Sequence, residues 1–377
     1  MYLNHLFKYI TMKTPFAILF KILVTVISVI TFSTNAFAQK DTTSLIHAGL
    51  IYPISSNGQR AAEYTNRFSL HAIAGLSRNE TGAAVAGAAN VIKKEAKGTQ
   101  IAGAANLIGG SAHGAQIAGA VNIIGQSAQG MQIAGFSNVI KERAEGAQIA
   151  GFMNLTGTSN SVQIAGFTNI VKDSAQGAQV AGFLNKAGNT NAQISGFMNI
   201  AKKVKGIQLA GLINIADSSD YPIALFNFIK NGEKSITFTL DESMTGIASF
   251  RSGGRVLYGI AGVGYNLKDN DKPLYAVEAG LGAHIGLAPQ FRINVEAVSQ
   301  SLSDFDGGHF FKNSIRILPA YKAGSRFEIF AGPTVNYATH ERGEEFSFVN
   351  KYLWKNKKSE DFQGVYIGFN VGVQFIL

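Results

Sequence analysis

A seven-residue unit of the form Gln-Ile-Ala-Gly-Phe-x-Asn recurs along much of the first part of the chain, and it limits the fold more than any other feature. Its asparagine falls at Asn90, Asn106, Asn122, Asn138, Asn154, Asn169, Asn185, Asn199 and Asn214, at spacings of 16, 16, 16, 16, 15, 16, 14 and 15 residues. Its glutamine keeps step at Gln100, Gln116, Gln132, Gln148, Gln163, Gln179, Gln193 and Gln208. A period this short is one supersecondary unit that cannot bury a face alone, so copies must stack. Each unit supplies one β-like run, such as Gln148 to Leu155, followed by a turn-rich return such as Thr156 to Ser161.

Stacking at strand spacing gives the recurrent residues structural work. Glycine at Gly103, Gly119, Gly135 and their counterparts is costly inside a strand unless something needs the space, and close approach of the opposite wall is the expected reason. Asn and Gln are expected to hydrogen-bond to their counterparts one coil above and below, or to cap backbone at a corner. The competing reading makes these rows a polar ligand-binding face. Alternation through Gln148 to Asn154 puts Gln, Ala, Phe and Asn on one side and Ile, Gly and Met on the other, without deciding which is core. The returns vary while the strands hold: Lys93, Lys94, Glu95 and Lys97 charge one, and Gly109 to Gly114 leave another nearly neutral, as exposed turns do. The pattern fades at Tyr221 to Asn227, which reads as a closing cap with a boundary near residue 233.

Beyond that boundary the period becomes a strict two. From Tyr275 to Leu287 one face carries Tyr, Val, Ala, Leu, Ala, Ile and Leu, and the other carries Glu278, His284 and glycines. Phe291, Ile293 and Val295 oppose Arg292, Asn294 and Glu296, and Phe327, Ile329 and Ala331 oppose Arg326 and Glu328. No helix pattern is present to cover these apolar faces. A closed barrel with lipid outside and mixed charge inside satisfies both. A soluble sandwich or lipocalin-like barrel is the competing architecture. Eight strands are expected, near 235–240, 244–251, 255–267, 273–287, 290–302, 312–323, 325–338 and 362–377, with Ser44 to Ile54 and Arg67 to Gly75 leaving a count of ten open. Tight connections at Ala288-Pro289 and Gly324-Ser325 alternate with long ones, and the expected parity puts the repeats at the short-turn end.

The N-terminus reads as an export signal. Lys8, Lys13 and Lys21 precede an apolar run from Ile22 to Phe32, and Ala36-Phe37-Ala38 offers a cleavage site before Gln39. That run is too short for a spanning helix, which needs about 20 residues. Met12 is an alternative start. Removal of residues 1–38, with three lysines and no acid, lowers the formal charge from +9 to +6, with no concentrated basic block, so nucleic acid is not an expected partner. Zero cysteines exclude disulfides, thiolate metal sites and cysteine nucleophiles.

The last strand, Val365, Ile367, Phe369, Val371, Val373, Phe375 and Leu377 in alternation, resembles the final strand of bacterial outer-membrane β-barrel proteins. That resemblance covers about 145 residues and implies a Gram-negative-type outer membrane, with the last strand recognised by the barrel-insertion machinery. Leu377 departs from the aromatic end typical of the family, and Phe375 partly compensates. The repeats are similar to those of bacterial surface-repeat proteins, which implies a cell-envelope location and no particular chemistry.

The expected organisation is therefore all-β: a signal at 1–38, an N-terminal β segment or cap at 39–82, a Gly/Asn β-solenoid at 83–232, and a small antiparallel transmembrane barrel at 233–377. Glu278, His284, Arg292, Glu296, Arg316, Arg326 and Glu328 are expected to form a charge network inside the barrel. As an acid-base set, Glu278, His284, Arg292 and Glu296 would instead make an outer-membrane enzyme acting on lipid. Phe346, Phe348, Tyr352 and Trp354, among lysines, are candidate surface-loop contacts for a glycan, lipid head group or envelope protein. Gly259, Gly262 and Gly264 lack the following helix that a phosphate loop needs, and the histidines lack metal-ligand spacing. No cofactor is expected. The function expected is a structural or interaction role, adhesin-like or scaffold, with a small pore as the alternative.

Overall fold

The computed structural model describes residues 42–268, 273–305, 309–341, 351–356 and 361–377. The expected signal segment lies outside them, as do Phe346 and Phe348. The described chain is all-β, with a parallel stack of about ten coils followed by a closed eight-stranded antiparallel barrel. Among the described residues no helix is long and apolar enough to cross a membrane.

Each coil folds as two strands joined at two corners. In one coil the long strand is Ala112–Ala118 and the short strand Val121–Ile124, and each pairs in parallel with its equivalent in the coils before and after. The register is identity upon identity: Gln116 pairs with Gln100 and Gln132, and Asn122 with Asn106 and Asn138. Coils of 14 or 15 residues keep this register because bulges absorb the missing residues, between Ile140 and Arg143 and between Ala175 and Ala178. Among the described residues the stack is first seen at Thr42–Ile51, which lies parallel to Tyr64–Ser77, and this strand in turn pairs with the following strands. Residues 42–82 are thus its first coils and contribute nothing to the barrel count.

Two expectations about the unit need correction. The run Gln148 to Leu155 is not one strand, because the chain turns at Gly151-Phe152 between strands Ser137–Ala150 and Met153–Ala165. The glycine row answers to the neighbouring coil, not the opposite wall: a Cβ on Gly103 would sit 2.0 Å from the carbonyl oxygen of Gly87. Within the long strands Gly98, Gly114, Gly130 and Gly146 take φ of 80°, 114°, 119° and 105°, a region that L side chains disfavour.

The core side of the unit is the side of Gln, Ala and Asn, whereas Phe, expected on that side, turns outward at the corner. Gln and Asn of the repeat are fully buried, and a second internal layer packs Ile92, Ile108, Ile124 and Ile140 against Ala96, Ala112, Ala128 and Ala144. Each such isoleucine contributes about 1.5–3 kcal/mol by leaving water. A buried amide contributes only if fully bonded. The asparagine row meets that condition by stacking, and the glutamine row does so except at Gln132, Gln148 and Gln208.

In the barrel, Lys234–Asp241, Thr245–Gly253, Leu257–Asn266, Tyr275–Ala288, Phe291–Ser303, His309–Lys322, Phe327–Glu341 and Asp361–Ile376 pair in sequence order. Closure comes from pairing of the first strand with the last, Ser235 opposite Ile376 and Asp241 opposite Asn370. The first strand is too short to cover all of the last, and Trp354–Asn356 pairs with the remaining edge at Gln363 to Val365. Both chain ends of the barrel lie at the rim with the connections 254–256, 289–290 and 323–326, where the Leu377 N–H donates to the Lys234 carbonyl. The longer connections occupy the other rim. There Ile247, Leu274, Leu302, Phe310, Ala338 and Tyr366 close the interior with an apolar plug.

Candidate functional site

The two-residue period of the barrel strands sends alternate side chains inward, and the inward set is polar and charged along the middle and lower part of the lumen. At mid-height Arg316 bonds Glu278 at 2.6 Å and approaches Glu296 at 3.6 Å. Glu296 also takes Arg251 at 2.8 Å and the Tyr258 hydroxyl at 2.9 Å. Towards the rim of short turns, Arg292 joins Glu328 at 2.8 Å and Glu233 at 2.7 Å. His284 Nδ1 lies 2.7 Å from Asn294 Oδ1, and the Asn294 amide donates to Glu328 at 3.1 Å. Nearer the long loops, Lys312 pairs with Asp241 at 2.5 Å. Apart from Glu233 these groups are almost entirely buried, and Glu278 Oε1 and Arg251 Nε have no hydrogen-bond partner, so the network keeps part of the cost of burying charge.

Of the residues singled out from sequence, Glu278, His284, Arg292, Glu296, Arg316 and Glu328 come together in this interior. Arg326 does not: it is exposed in the turn before Phe327, where inward alternation has not begun. Glu233, Arg251, Tyr258, Asp241 and Lys312 belong to the network and were not singled out. The signal for Arg251 and Asp241 was their inward parity in the two shortest strands; Glu233 lies in a turn and has no periodic signal. Trp354 is exposed on its short strand. Tyr352 is not a surface contact, because its ring packs edge-on against Phe362 and Tyr366 and seals the apolar plug.

Chemically, the carboxylates here are held by guanidinium or ammonium groups, which fixes charge rather than freeing a base. A cleft of about 530 Å³ opens at the rim of short turns, lined by Glu233, Arg255, His284, Arg292 and Lys322 among others. Among the described residues no three His, Cys, Asp or Glu are grouped to hold a metal ion.

The solenoid presents different chemistry inside and out. Inside, Asn106 Nδ2 donates to Asn122 Oδ1 at 2.9 Å, to the Ile117 carbonyl at 2.9 Å and to the Gln100 carbonyl at 3.3 Å, and this pattern repeats coil after coil. Gln116 donates to Gln100 at 2.9 Å, and its row runs on with one break, between Gln132 and Gln148. The amides therefore form ladders and are closed to a ligand. Outside, the Gly-Phe corner carries Phe136, Phe152, Phe167, Phe183 and Phe197 in a stack with centroids 4.8–4.9 Å apart.

The first coils replace the amides with a buried titratable group. His47 and His71 meet edge to face with their Nε2 atoms 3.4 Å apart. Asn66 Nδ2 bridges His47 Nδ1 at 3.2 Å and Glu80 Oε1 at 3.1 Å, and Ser69 donates to the same oxygen at 2.7 Å. Burial first, then the neighbouring His71, hold the His47 imidazole down at about 4; burial lowers His71 and raises Glu80. No family model, no curated protein and no solved structure matches the chain.

Proposed function

We propose that the chain is an outer-membrane protein of the bacterial envelope with a structural or interaction role, adhesin-like or scaffold, in which the barrel anchors and the solenoid presents. The observation that carries this reading is the outward face of the barrel. Val263, Val277, Ile315, Val335, Ile367 and Phe369 are all more than half exposed on it, while arginines and carboxylates fill the inside. Soluble monomers rarely leave so large a contiguous apolar surface in water, whereas a bilayer core about 25 Å tall is matched by such a belt.

The packed lumen supports anchoring over passage of solutes. A small barrel has an interior just wide enough for side chains, and here ion pairs and an apolar plug occupy it. The carboxylates' engagement by cations also counts against the enzyme reading. In this view the protein is exported by its N-terminal segment, the alternating last strand is what the insertion machinery reads, and the solenoid meets a partner of the envelope. The short turns, which such barrels place in the periplasm, share their rim with the solenoid.

The test is folding into lipid. Purified, denatured chain diluted into phospholipid vesicles should acquire a band on cold detergent gels that shifts on boiling, and should float with the vesicles. A chain that folds as a monomer in buffer without detergent or lipid overturns the reading.

A further inference from the structure

The solenoid carries its own uncovered apolar surface. Facing planes in the phenylalanine stack lie within 1–6° of parallel, so each ring spends its faces on its neighbours and offers only edges outward. A sugar seeks an open ring face, and aliphatic chains do not. Next to this edge, along the long strands, Ile149, Ile164 and Ile194 are 38%, 43% and 41% exposed. Charge is concentrated at the opposite corner, at Lys141, Arg143, Lys172 and Lys202 for example. In cross-section the stack is amphipathic in the way an interfacial helix is.

Where the stack ends shows what this surface lies beside. Along the stacking axis the asparagine ladder passes from Asn214 to Asn227 at 3.0 Å. Asn227 then bonds barrel strand Thr245–Gly253, its N–H donating to Ser252 Oγ at 2.9 Å and its amide to the Ser252 carbonyl at 3.1 Å. Ser252 has the outward parity, being next to inward Arg251. A Cβ on Gly259, its pairing partner, would lie 2.2 Å from the carbonyls of Ala224 and Leu225. The last coil thus rests against the outer wall of the barrel, not under its lumen, and the stacking axis meets that wall. Phe228, on the short-strand flank of the solenoid, comes within 6.4 Å of outward-facing Phe250. The apolar surface of the solenoid continues into the apolar belt of the barrel.

We infer that the Gly-Phe edge of the solenoid binds the phospholipid leaflet into which the barrel is inserted. The stack leaves the barrel sideways along the membrane, its phenylalanine edge at the boundary of head groups and acyl chains and its charged corner in water. The inference rests on the reading of the barrel as membrane-inserted. Continuity with the belt selects lipid over a second copy of the chain, which nothing in the barrel wall favours.

Depth-dependent quenching tests it in the full chain. Trp354 is the only tryptophan, so a Trp354→Phe background accepts single probes: Phe167→Trp on the edge, Ile164→Trp on its flank, Lys172→Trp at the charged corner and Val335→Trp on the barrel belt. Each is folded into vesicles of phosphatidylethanolamine and phosphatidylglycerol with brominated or ordinary acyl chains. Probes at 167, 164 and 335 should lose about half their emission with brominated lipid, the loss suited to a surface buried some 5–10 Å into the boundary, and the probe at 172 should lose none. Quenching at 335 without quenching at 164 and 167 overturns the inference and leaves the barrel reading standing. Absence of quenching at 335 removes the barrel reading and the inference with it. Quenching absent at 164 and 167 together with cross-linking of copies through that edge assigns the surface to a dimer and also overturns it.

Discussion

The solenoid and the barrel both bury polar side chains and turn apolar ones outward, but they satisfy the buried groups in opposite ways. In the solenoid an amide meets a copy of itself, so Asn122 gives Asn106 what Asn138 gives Asn122. The contact is neutral, and its geometry follows from periodicity alone. In the barrel each partner is different: Arg316 is held by Glu278 and Glu296, and Arg292 by Glu328 and Glu233. A repeated contact tolerates loss or gain of a whole unit. A contact between unlike partners tolerates neither a shift nor a missing member.

The largest effect should come from breaking the unlike set. Arg316→Met leaves Glu278 without its 2.6 Å partner in a fully buried site, and removing one member of a buried pair costs about 3–5 kcal/mol. Urea unfolding of the vesicle-inserted chain, followed by the boiling-sensitive gel band, should show the unfolding free energy fall by that amount and the midpoint fall with it. Adding Glu278→Gln should recover part of it. An unchanged midpoint for Arg316→Met would mean that water reaches these carboxylates.

Breaking a copy contact should cost less. Asn154→Leu removes a donor to Asn169 Oδ1 and to the Ile164 carbonyl, both at 2.9 Å, and the acceptor of Asn138. Leaving buried partners unmatched costs about 1–3 kcal/mol. Proteolysis at the neighbouring returns should accelerate while the barrel band stays, because the barrel network contains none of these groups.

The first coils combine the two modes, and acid should expose them. His47 has an ordinary value of 6.5 and is held at about 4 in the fold, so the unfolded chain takes up its proton first. Its contribution is complete above about pH 6.5 and is lost as pH falls towards about 4. His71, also lowered by burial, adds to the loss. Glu80, raised by burial, acts with the opposite sign and stabilises the fold as it protonates. The net loss should be on the order of 1–2 kcal/mol. Hydrogen exchange of the amides of Tyr64–Ser77 should lose protection over that window, after correction for intrinsic rates. The strands near Asn185 should not, and His47→Gln with His71→Gln should flatten the response.

These contrasts also explain what was legible in the sequence. The eight strands were readable because outward residues such as Val277 and Ile367 alternate strictly with inward ones. The coil was readable because Asn and Gln recur. Which side of the coil is core was not, since the usual expectation of apolar inside fails where amides close ladders and the isoleucines beside the glutamines, such as Ile149 and Ile164, stay outside. The bend at Gly151-Phe152 was hidden because alternation runs through the corner without losing step. Arg326 misled because it continues the parity of Glu328 into a turn. His47 and His71, 24 residues apart, meet only because coils stack, which no local spacing reveals.

The smallest effect should follow from the largest excision. Deleting residues 117–132 joins Gln116 to Ile133 and removes one 16-residue coil, so Asn138 moves onto Asn106 and Ile140 onto Ile108. All the lost contacts are replaced by copies of themselves, and the barrel keeps every partner. The unfolding free energy read from the barrel band should stay within about 0.5 kcal/mol of the parent, as for changes remote from a network. The stack should shorten by one strand spacing, about 4.8 Å. Deleting residues 117–124, half a coil, joins long strand to long strand and sets the next short strand one step out of place. That variant should lose protection across the neighbouring coils. Equal behaviour of the two deletions would show that register between identical amides does not hold the stack, and the contrast with the barrel would fail at its root.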